Sequence, residues 1–273
     1  MQLSVIISTY NSEEWLQKVL WGYAQQIYRD FEMVIADDGS RDATRHLIEA
    51  FAKEAAFPIR HVWHPDNGFQ KSAILNKAIQ ACQTDYIVMS DGDCIPRKDF
   101  LEVHFKQRQA GRFLSGGYFK LPLSISQQIT RESIENQDCF SLKWLKKNGL
   151  KSSFKNNKLT SFGIKEWLLN HCTPTKATWN GHNASGWKRD ILAVNGFDER
   201  MQYGGQDREL GERLVNYGIR GKQIRYSAIV LHLDQPRGYA NPKSWEKNRL
   251  IRQNTRSKKV RYTPYGITKE KGV

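Results

Sequence analysis

The sequence lacks the apolar runs and the glycine motifs that mark several large classes of protein. No stretch reaches the roughly 18 uninterrupted apolar residues of a membrane-spanning helix. Neither GxGxxG nor GxxxxGKS/T occurs, which argues against a Rossmann dinucleotide loop and against a P-loop. A pyrophosphate bound by this chain would therefore need a metal ion to offset its charge.

The cysteines are few and widely spaced. Cys82, Cys94, Cys139 and Cys172 form no CxxC pair, so neither a zinc site nor a disulfide framework is indicated, and we expect buried thiols. The sequence begins directly with a strand-like segment. From this we expect no signal peptide and a cytoplasmic chain.

The net charge of +14 over 273 residues is concentrated in two segments. Between Ser141 and Lys165 the only charged side chains are seven lysines, and from Gln235 to the end eleven basic residues face two acidic ones. Such runs suit an anionic partner, whether nucleic acid, lipid headgroups or an acidic glycan. A solvated tail is the equally weighted alternative for the second segment.

The first 90 residues alternate between strand-like and helix-like patterns. Apolar runs predict strands over 3–8, 31–36, 59–63 and 86–89, and an amphipathic helix follows each of the first three. Asn11 and Glu14 have the spacing of a capping box at the first helix. This alternation predicts an α/β fold with a mostly parallel central sheet flanked by helices.

Polar clusters follow three of the predicted strands at their carboxyl ends, where open α/β sheets bind ligands. The clusters are Ser8-Thr9-Tyr10-Asn11, Asp37-Asp38-Gly39-Ser40 and Ser90-Asp91-Gly92-Asp93. In the last cluster a flexible glycine lets both carboxylates bend toward one hard divalent cation and a sugar hydroxyl. Together the three loops predict a metal and nucleotide site.

The order of these motifs, with Asp66-Asn67-Gly68-Phe69 leading to Asn76, resembles the family 2 glycosyltransferases of the GT-A (nucleotide-diphospho-sugar transferase) fold. Further on, Gly196-Phe197-Asp198-Glu199 and Tyr203-Gly204-Gly205-Gln206-Asp207-Arg208-Glu209 resemble the galactosyltransferase-type region of β-1,4-galactosyltransferases and bacterial chondroitin polymerases. The resemblance implies transfer of a hexose or N-acetylhexosamine from a UDP-sugar with Mn²⁺ or Mg²⁺. The implied acceptor is an oligosaccharide or lipid-linked glycan of surface polysaccharide or lipopolysaccharide synthesis.

The same resemblance implies roles for individual residues. Asp207 is expected to be the general base of an inverting displacement, and Asp93 and His232 are expected to bind the metal. Asp38 would contact uracil and Asp91 the ribose. The other expected contacts of the nucleotide sugar are Thr9, Tyr10, Asn11, Lys71, Asn76, Gly92, Asn183, Ala184, Gly205 and Gln206.

From the residues alone, several of these assignments have a structural alternative. Asp207 falls in the first turn of a helix predicted to begin at Gln206, where the helix dipole would keep a carboxylate ionised and where acidic residues are common. His232 follows an apolar run, where a single histidine is more often structural than a metal ligand. Trp179 and Trp187 suit either a sugar-stacking platform or the core.

The βα pattern stops between about Ser124 and Lys176, where aromatic residues alternate with lysines. We divide the chain into a nucleotide-sugar-binding half (1–120), a helical acceptor-side or membrane-facing insertion (121–176), an acceptor and catalytic half (177–235) and a basic C-terminal tail (236–273). We expect an anionic membrane surface at the inner face of the plasma membrane as a partner, and no nucleic acid. A sugar-nucleotide-forming nucleotidyltransferase and a basic nucleic-acid-binding protein are the alternatives.

Overall fold

The computed structural model of the chain describes residues 1–234 and 242–269. Ten strands lie in these ranges. They are β1 (Leu3–Thr9), β2 (Phe31–Asp37), β3 (Ile59–Trp63), β4 (Tyr86–Asp91), β5 (Cys94–Pro96), β6 (Arg112–Ser115), β7 (Gly117–Lys120), β8 (Ala184–Trp187), β9 (Arg220–Gln223) and β10 (Ile229–His232). The four strands predicted from the first 90 residues are confirmed, and three of them extend one or two residues further.

Seven strands form the central sheet in the order β3-β2-β1-β4-β8-β6-β9. Strands β3, β2, β1 and β4 pair in parallel, and β8 runs antiparallel to its neighbours β4 and β6. A smaller sheet has the order β5-β10-β7. Because β5 follows β4 after a two-residue turn, the small sheet lies directly beyond the carboxyl end of β4.

Twelve α-helices connect or follow these strands among the described residues. They are α1 (Glu13–Ala24), α2 (Asp42–Glu54), α3 (Lys71–Ala81), α4 (Phe100–Gln107), α5 (Leu123–Gln128), α6 (Arg131–Glu135), α7 (Leu142–Lys147), α8 (Asn157–Thr160), α9 (Gly163–Cys172), α10 (Lys188–Ala193), α11 (Gln206–Tyr217) and α12 (Pro242–Ser257). No helix in the described part of the chain is long and apolar enough to cross a membrane.

The start of α1 differs from the sequence prediction. The helix begins at Glu13. Its N-cap residue is Ser12, whose side chain makes no capping hydrogen bond. Asn11 adopts a left-handed conformation with φ 43°, and its Oδ1 accepts a hydrogen bond from the Arg41 backbone N–H at 3.0 Å. The predicted capping box is therefore wrong, because Asn11 joins the β1 and β2 loops instead of capping the helix.

Alternate residues of β1 fill separate cores on the two faces of the sheet. Val5 and Ile7 pack in the core that contains α1, whereas Ile6 packs in the core that contains α3 and α11. This alternation follows from the two-residue period of a strand. The sheet is thus held on both sides, and the loops at its carboxyl edge project from a rigid base.

The C-terminal basic segment packs on the helix that follows Gly205. The Thr255 hydroxyl donates to Glu209 at 2.9 Å, and the Arg252 guanidinium pairs with Glu212 at 2.6 Å. The alternative of a solvated tail is therefore wrong for residues 242–269. Arg237 and Lys271, which belong to the same basic run, lie outside the described residues.

Candidate active site

A cavity of about 520 Å³ opens at the carboxyl ends of β1, β2 and β4. Three loops, α3, the small sheet and the start of α11 contribute to its wall. Among the described residues the wall is formed by Ser8, Thr9, Tyr10, Ser12, Asp38, Gly68, Phe69, Lys71, Ile74, Asp91, Gly92, Asp93, Tyr118, His182, Tyr203, Gln206, Asp207 and His232. Ten of the fifteen site residues predicted from the sequence are in this set.

Backbone hydrogen bonds join the three loops predicted to converge. The Asp38 N–H donates to the Thr9 carbonyl at 3.0 Å, and the Gly92 N–H donates to the Ser8 carbonyl at 2.8 Å. The Ser8 hydroxyl also donates to Asp91 Oδ1 at 2.7 Å. The loops therefore hold their acidic side chains in fixed relative positions, as a binding site requires.

Lys71, at the first position of α3, pairs with Asp91. Its Nζ lies 2.7 Å from Asp91 Oδ1. Although burial opposes ionisation of the carboxyl, the charge and hydrogen bond of Lys71 hold the pKa of Asp91 well below its usual range. Burial likewise opposes the ammonium, but Asp91 and then Asp207 raise the pKa of Lys71. Both groups are therefore charged at neutral pH.

Asp93 and His232 form the part of the site suited to a metal. Potential ligand atoms of Asp93, Cys94 and His232 all lie within 4.8 Å of one another, and all three residues are buried. The Nδ1 of His232 lies 2.9 Å from the Leu233 carbonyl, which can only accept, so Nδ1 carries the proton. When the ring is neutral, the lone pair is on Nε2, which lies 3.7 Å from Asp93 Oδ2. A carboxylate beside an oriented imidazole fits Mn²⁺ or Mg²⁺ bound together with phosphate oxygens.

Asp207 lies in the first turn of α11, as the sequence predicted, and its carboxylate reaches the cavity. Its Oδ1 is buried and has no hydrogen-bond partner among the described residues. Burial raises the pKa of Asp207 to about 6, with Asp91 adding to the increase and Lys71 opposing it. Desolvation thus outweighs the effect of the helix dipole on this pKa, but a carboxyl group with a pKa of about 6 is still mostly ionised at neutral pH. A carboxylate with a pKa near neutrality is a suitable proton acceptor.

Asp38 and Tyr10 lie on the part of the cavity wall formed by the loops after β2 and β1. His64 Nε2 lies 2.8 Å from Asp38 Oδ1, and the Gln70 N–H donates to Oδ2 at 3.0 Å. Burial raises the pKa of Asp38 against the opposing effect of His64. The Tyr10 hydroxyl donates to Asp66 at 2.8 Å, which places its ring at the cavity edge. Both carboxylate oxygens of Asp38 are thus oriented by this chain before any base binds.

Two predicted contact residues, Asn183 and Ala184, do not line the cavity. The Asn183 amide donates to the carbonyls of Gly117 and Ala228 at 2.8 and 3.0 Å, and its Oδ1 lies 3.0 Å from His104 Nε2. Ala184 is buried in β8. The Asn183 side chain thus joins the segment before β8 to the small sheet, and neighbouring His182 lines the cavity instead.

Asn76, Asn11 and Gly205 are likewise engaged outside the cavity wall. Asn76 is buried and donates to the Phe197 carbonyl and to Glu199, both at 2.9 Å. Gly205 has φ 91°, and a Cβ atom there would lie 3.0 Å from Arg252 Cδ. The glycine is required for this backbone conformation and for the approach of α12.

The two tryptophans belong to the protein interior. Trp179 is fully buried in the core beside Phe113, and Trp187 packs edge-on against Tyr86 with ring centroids 5.1 Å apart. The alternative of a sugar-stacking platform is therefore wrong for both. The aromatic rings of Phe and Tyr at the cavity are Tyr10, Phe69, Tyr118 and Tyr203. Of these, only Tyr118 lay outside the motifs that the sequence singled out.

Residues 4–154 match the profile of the protein family described as Glycosyl transferase family 2. Over 86% of this chain the sequence is 24% identical to chondroitin synthase of Escherichia coli, and over 95% it is 27% identical to hyaluronan synthase of Pasteurella multocida. The chain spans only 35% and 27% of the length of these two proteins.

Solved structures show the same fold. The mannosyltransferase PcManGT from Pyrobaculum calidifontis, in complex with GDP-Man and Mn²⁺, is similar with a TM-score of 0.58 and 19% identity, over 87% of this chain and 58% of that one. TarS of S. aureus in complex with UDP-GlcNAc is similar with a TM-score of 0.62 and 15% identity, over 95% of this chain and 69% of that one. The predicted GT-A fold is confirmed.

Proposed function

The chain belongs to glycosyl transferase family 2, and we propose that it moves a hexose or N-acetylhexosamine from a UDP-sugar to a glycan acceptor with inversion at the anomeric carbon. The observation that carries the mechanism is Asp207, which lines the cavity and whose buried Oδ1 has no hydrogen-bond partner among the described residues. A free carboxylate beside a nucleotide site is suited to accept the proton of an acceptor hydroxyl.

The reaction is a single displacement. The acceptor oxygen forms a bond to the anomeric carbon, its proton passes to Asp207, and the bond from that carbon to the phosphate oxygen breaks as UDP leaves. An α-linked donor then yields a β-linked product without a covalent glycosyl-enzyme. Lys71 keeps Asp91 ionised and oriented toward the donor through their 2.7 Å contact.

Asp93 and His232 are the residues we propose to hold Mn²⁺ or Mg²⁺. The ion would offset the charge of the pyrophosphate, which this chain does not cradle with a glycine-rich loop. The proximity of a carboxylate and an imidazole lone pair in the cavity supports this assignment.

We further propose a role in surface polysaccharide or lipopolysaccharide synthesis at the inner face of the plasma membrane. The likeness to chondroitin and hyaluronan synthases supports a glycan acceptor, and the lysine-rich insertion supports an anionic surface as partner. Of the alternatives, family membership disfavours the nucleotidyltransferase, and the acidic cavity gives nucleic acid no binding surface there.

Two measurements test the proposed function: which UDP-sugar binds, and which product is released. Thermal shift with UDP-Gal, UDP-Glc, UDP-GalNAc and UDP-GlcNAc plus Mn²⁺ identifies the bound donor. We then expect UDP release that depends on a glycan acceptor. Release of pyrophosphate, or retention on DNA without any shift by a UDP-sugar, would contradict the proposal.

A further inference from the structure

Helix α9 of the insertion packs against the rest of the protein through polar side chains. The Asn170 amide donates to Ser227 Oγ at 2.8 Å, and the Tyr226 backbone N–H donates to Asn170 Oδ1 at 3.0 Å. The Ser227 hydroxyl also donates to Glu166. Because Glu166 and Asn170 are four residues apart, they share one helical face, and that face is turned to the segment preceding β10.

The other face of α9 is apolar and open to solvent. Ile164, Trp167 and Leu168 have the spacing of a single helical face and are 80%, 57% and 45% exposed. No residue of α9 is buried. A surface helix normally turns its apolar stripe to the core, so α9 is oriented in reverse. We call Ile164, Trp167 and Leu168 the α9 apolar face.

Exposed aromatic and positively charged residues lie near the α9 apolar face in the sequence. Phe154 and Phe162 precede α9 and are 74% and 64% exposed. Lys151, Lys155 and Lys165 are also exposed, and Lys165 Nζ donates to Asn157 Oδ1 at 2.9 Å, which links α9 to α8. A cluster of exposed apolar side chains among basic residues is typical of an interaction surface.

The positive charge of the insertion indicates what the α9 apolar face binds. Glu166 is the only acidic residue between Ser141 and Lys176, and it points inward to Ser227. Two copies meeting face to face would bring like charges together, which is unfavourable. A bilayer with anionic headgroups complements both features of this insertion, because its interior accepts apolar side chains and its surface attracts lysines. We infer that the α9 apolar face docks on a lipid bilayer that contains anionic headgroups.

Docking at α9 would bring the bilayer close to the part of the cavity wall formed by Tyr118 and His232. The helix contacts Tyr226 and Ser227, which lead into β10 and its terminal His232. From the same insertion, Lys158 Nζ donates to the carbonyl of Tyr118, a residue of the cavity wall, at 2.7 Å. If the proposed transferase function holds, this arrangement suits a lipid-linked acceptor, whereas bilayer binding itself requires no transfer.

The inference is tested by sedimentation with phosphatidylcholine vesicles, with and without phosphatidylglycerol. We expect the parent to bind the anionic vesicles and Trp167→Ser combined with Leu168→Ser to bind them on the order of 10-fold more weakly. Ile27→Ser combined with Leu192→Ser removes two exposed apolar side chains elsewhere and should bind like the parent. Lys155→Gln with Lys165→Gln should reduce both the preference for anionic vesicles and the salt sensitivity.

A second measurement uses Cys172, which is exposed at the end of α9, whereas the other three cysteines are buried. An environment-sensitive fluorophore on Cys172 should shift to the blue with anionic vesicles. Unchanged vesicle binding by the Trp167 and Leu168 variant, no blue shift, or a dimer that this variant dissociates would overturn the inference. Vesicle binding by a chain that transfers no sugar would leave it intact and count against the proposed function alone.

Discussion

The carboxylate of Asp207 lies against the backbone of Gly181. A Cβ atom added at Gly181 would lie 2.7 Å from Asp207 Oδ1, closer than van der Waals contact allows. The absent side chain thus leaves the space in which the proposed base sits. Since Gly181 belongs to the loop that ends at His182 on the cavity wall, this loop and α11 together define the position of Asp207.

We predict that Gly181→Ala impairs the chemical step more than donor binding. The nearest atom to the new methyl group is the end of a side chain, so the Asp207 carboxylate moves and the fold persists. A displacement of about 1 Å at a reacting group can cost on the order of 100-fold in rate. Steady-state kinetics should show a lower kcat with a nearly unchanged UDP-sugar affinity. A parent-like kcat would show that Asp207 tolerates the shift or is not the base.

Asp207→Asn should abolish transfer while making the protein more stable at alkaline pH. The amide cannot accept the proton, a loss of on the order of 100-fold to 10,000-fold in rate. Burial of the charged carboxylate destabilises the parent above its pKa of about 6, so the variant should gain about 1–3 kcal/mol in unfolding free energy at pH 8.

The gain in unfolding free energy of Asp207→Asn depends on pH. The pKa of Asp207 is higher in the folded chain than in the unfolded chain, so the parent loses stability as pH rises between these two values. Urea unfolding of both proteins at acid and alkaline pH measures the difference, which should vanish in acid. Equal stability at all pH values, or transfer near the parent rate, would refute the assignment.

The pH dependence of kcat/KM should report the same carboxyl group. Only the ionised form accepts a proton, so the rate should fall about tenfold for each pH unit below a pKa near 6 and level off above it. Lys71 lowers the pKa of Asp207, so Lys71→Gln should move the acidic limb to higher pH. A limb at the ordinary aspartate pKa in both proteins would be inconsistent with this role.

Transfer and tight UDP binding should both require a divalent cation. EDTA is expected to abolish them, and Asp93→Ala and His232→Ala should each weaken the Mn²⁺-dependent binding of UDP measured by calorimetry. Cys94 lies beside these residues and provides the matched control. Because Mn²⁺ prefers oxygen and imidazole ligands, Cys94→Ser should retain the parent's metal dependence. Full activity in EDTA would exclude a metal-dependent mechanism.

Asn248 should affect catalysis although it does not line the cavity. Its amide donates to the carbonyls of Gln202, Tyr203 and Gly204 at 2.9, 3.2 and 2.9 Å, which holds the loop that leads to Asp207. Asn248→Ala should lower kcat on the order of 10-fold through loss of positioning. Its neighbour Arg249 is exposed and pairs only with groups of α12 among the described residues, so Arg249→Ala should retain parent activity.

The sequence by itself predicted the sheet and the convergence of its loops. Runs such as 3–8 and 86–89 are apolar because parallel strands are covered on both faces, and polar residues begin where those strands end. Both properties are local, so they are readable without knowledge of the fold. The helix beginning at Gln206 and the meeting of the loops that carry Asp91 and Asp93 were therefore predicted correctly, whereas the place of Asp207 at the same cavity was implied by the family resemblance.

Only the tertiary structure decided which polar side chains remain available to a ligand. The side-chain amides of Asn183 and Asn76 have the donors and acceptors that a ligand contact needs, but both donate to backbone carbonyls of distant segments. Asp207 lies among groups that leave its Oδ1 unpaired within the described chain. Likewise, the sequence showed aromatic residues among lysines in the insertion, but the contact with Ser227, distant in sequence, determined that the polar face of α9 turns inward. These outcomes depend on contacts between distant segments, which no local pattern encodes.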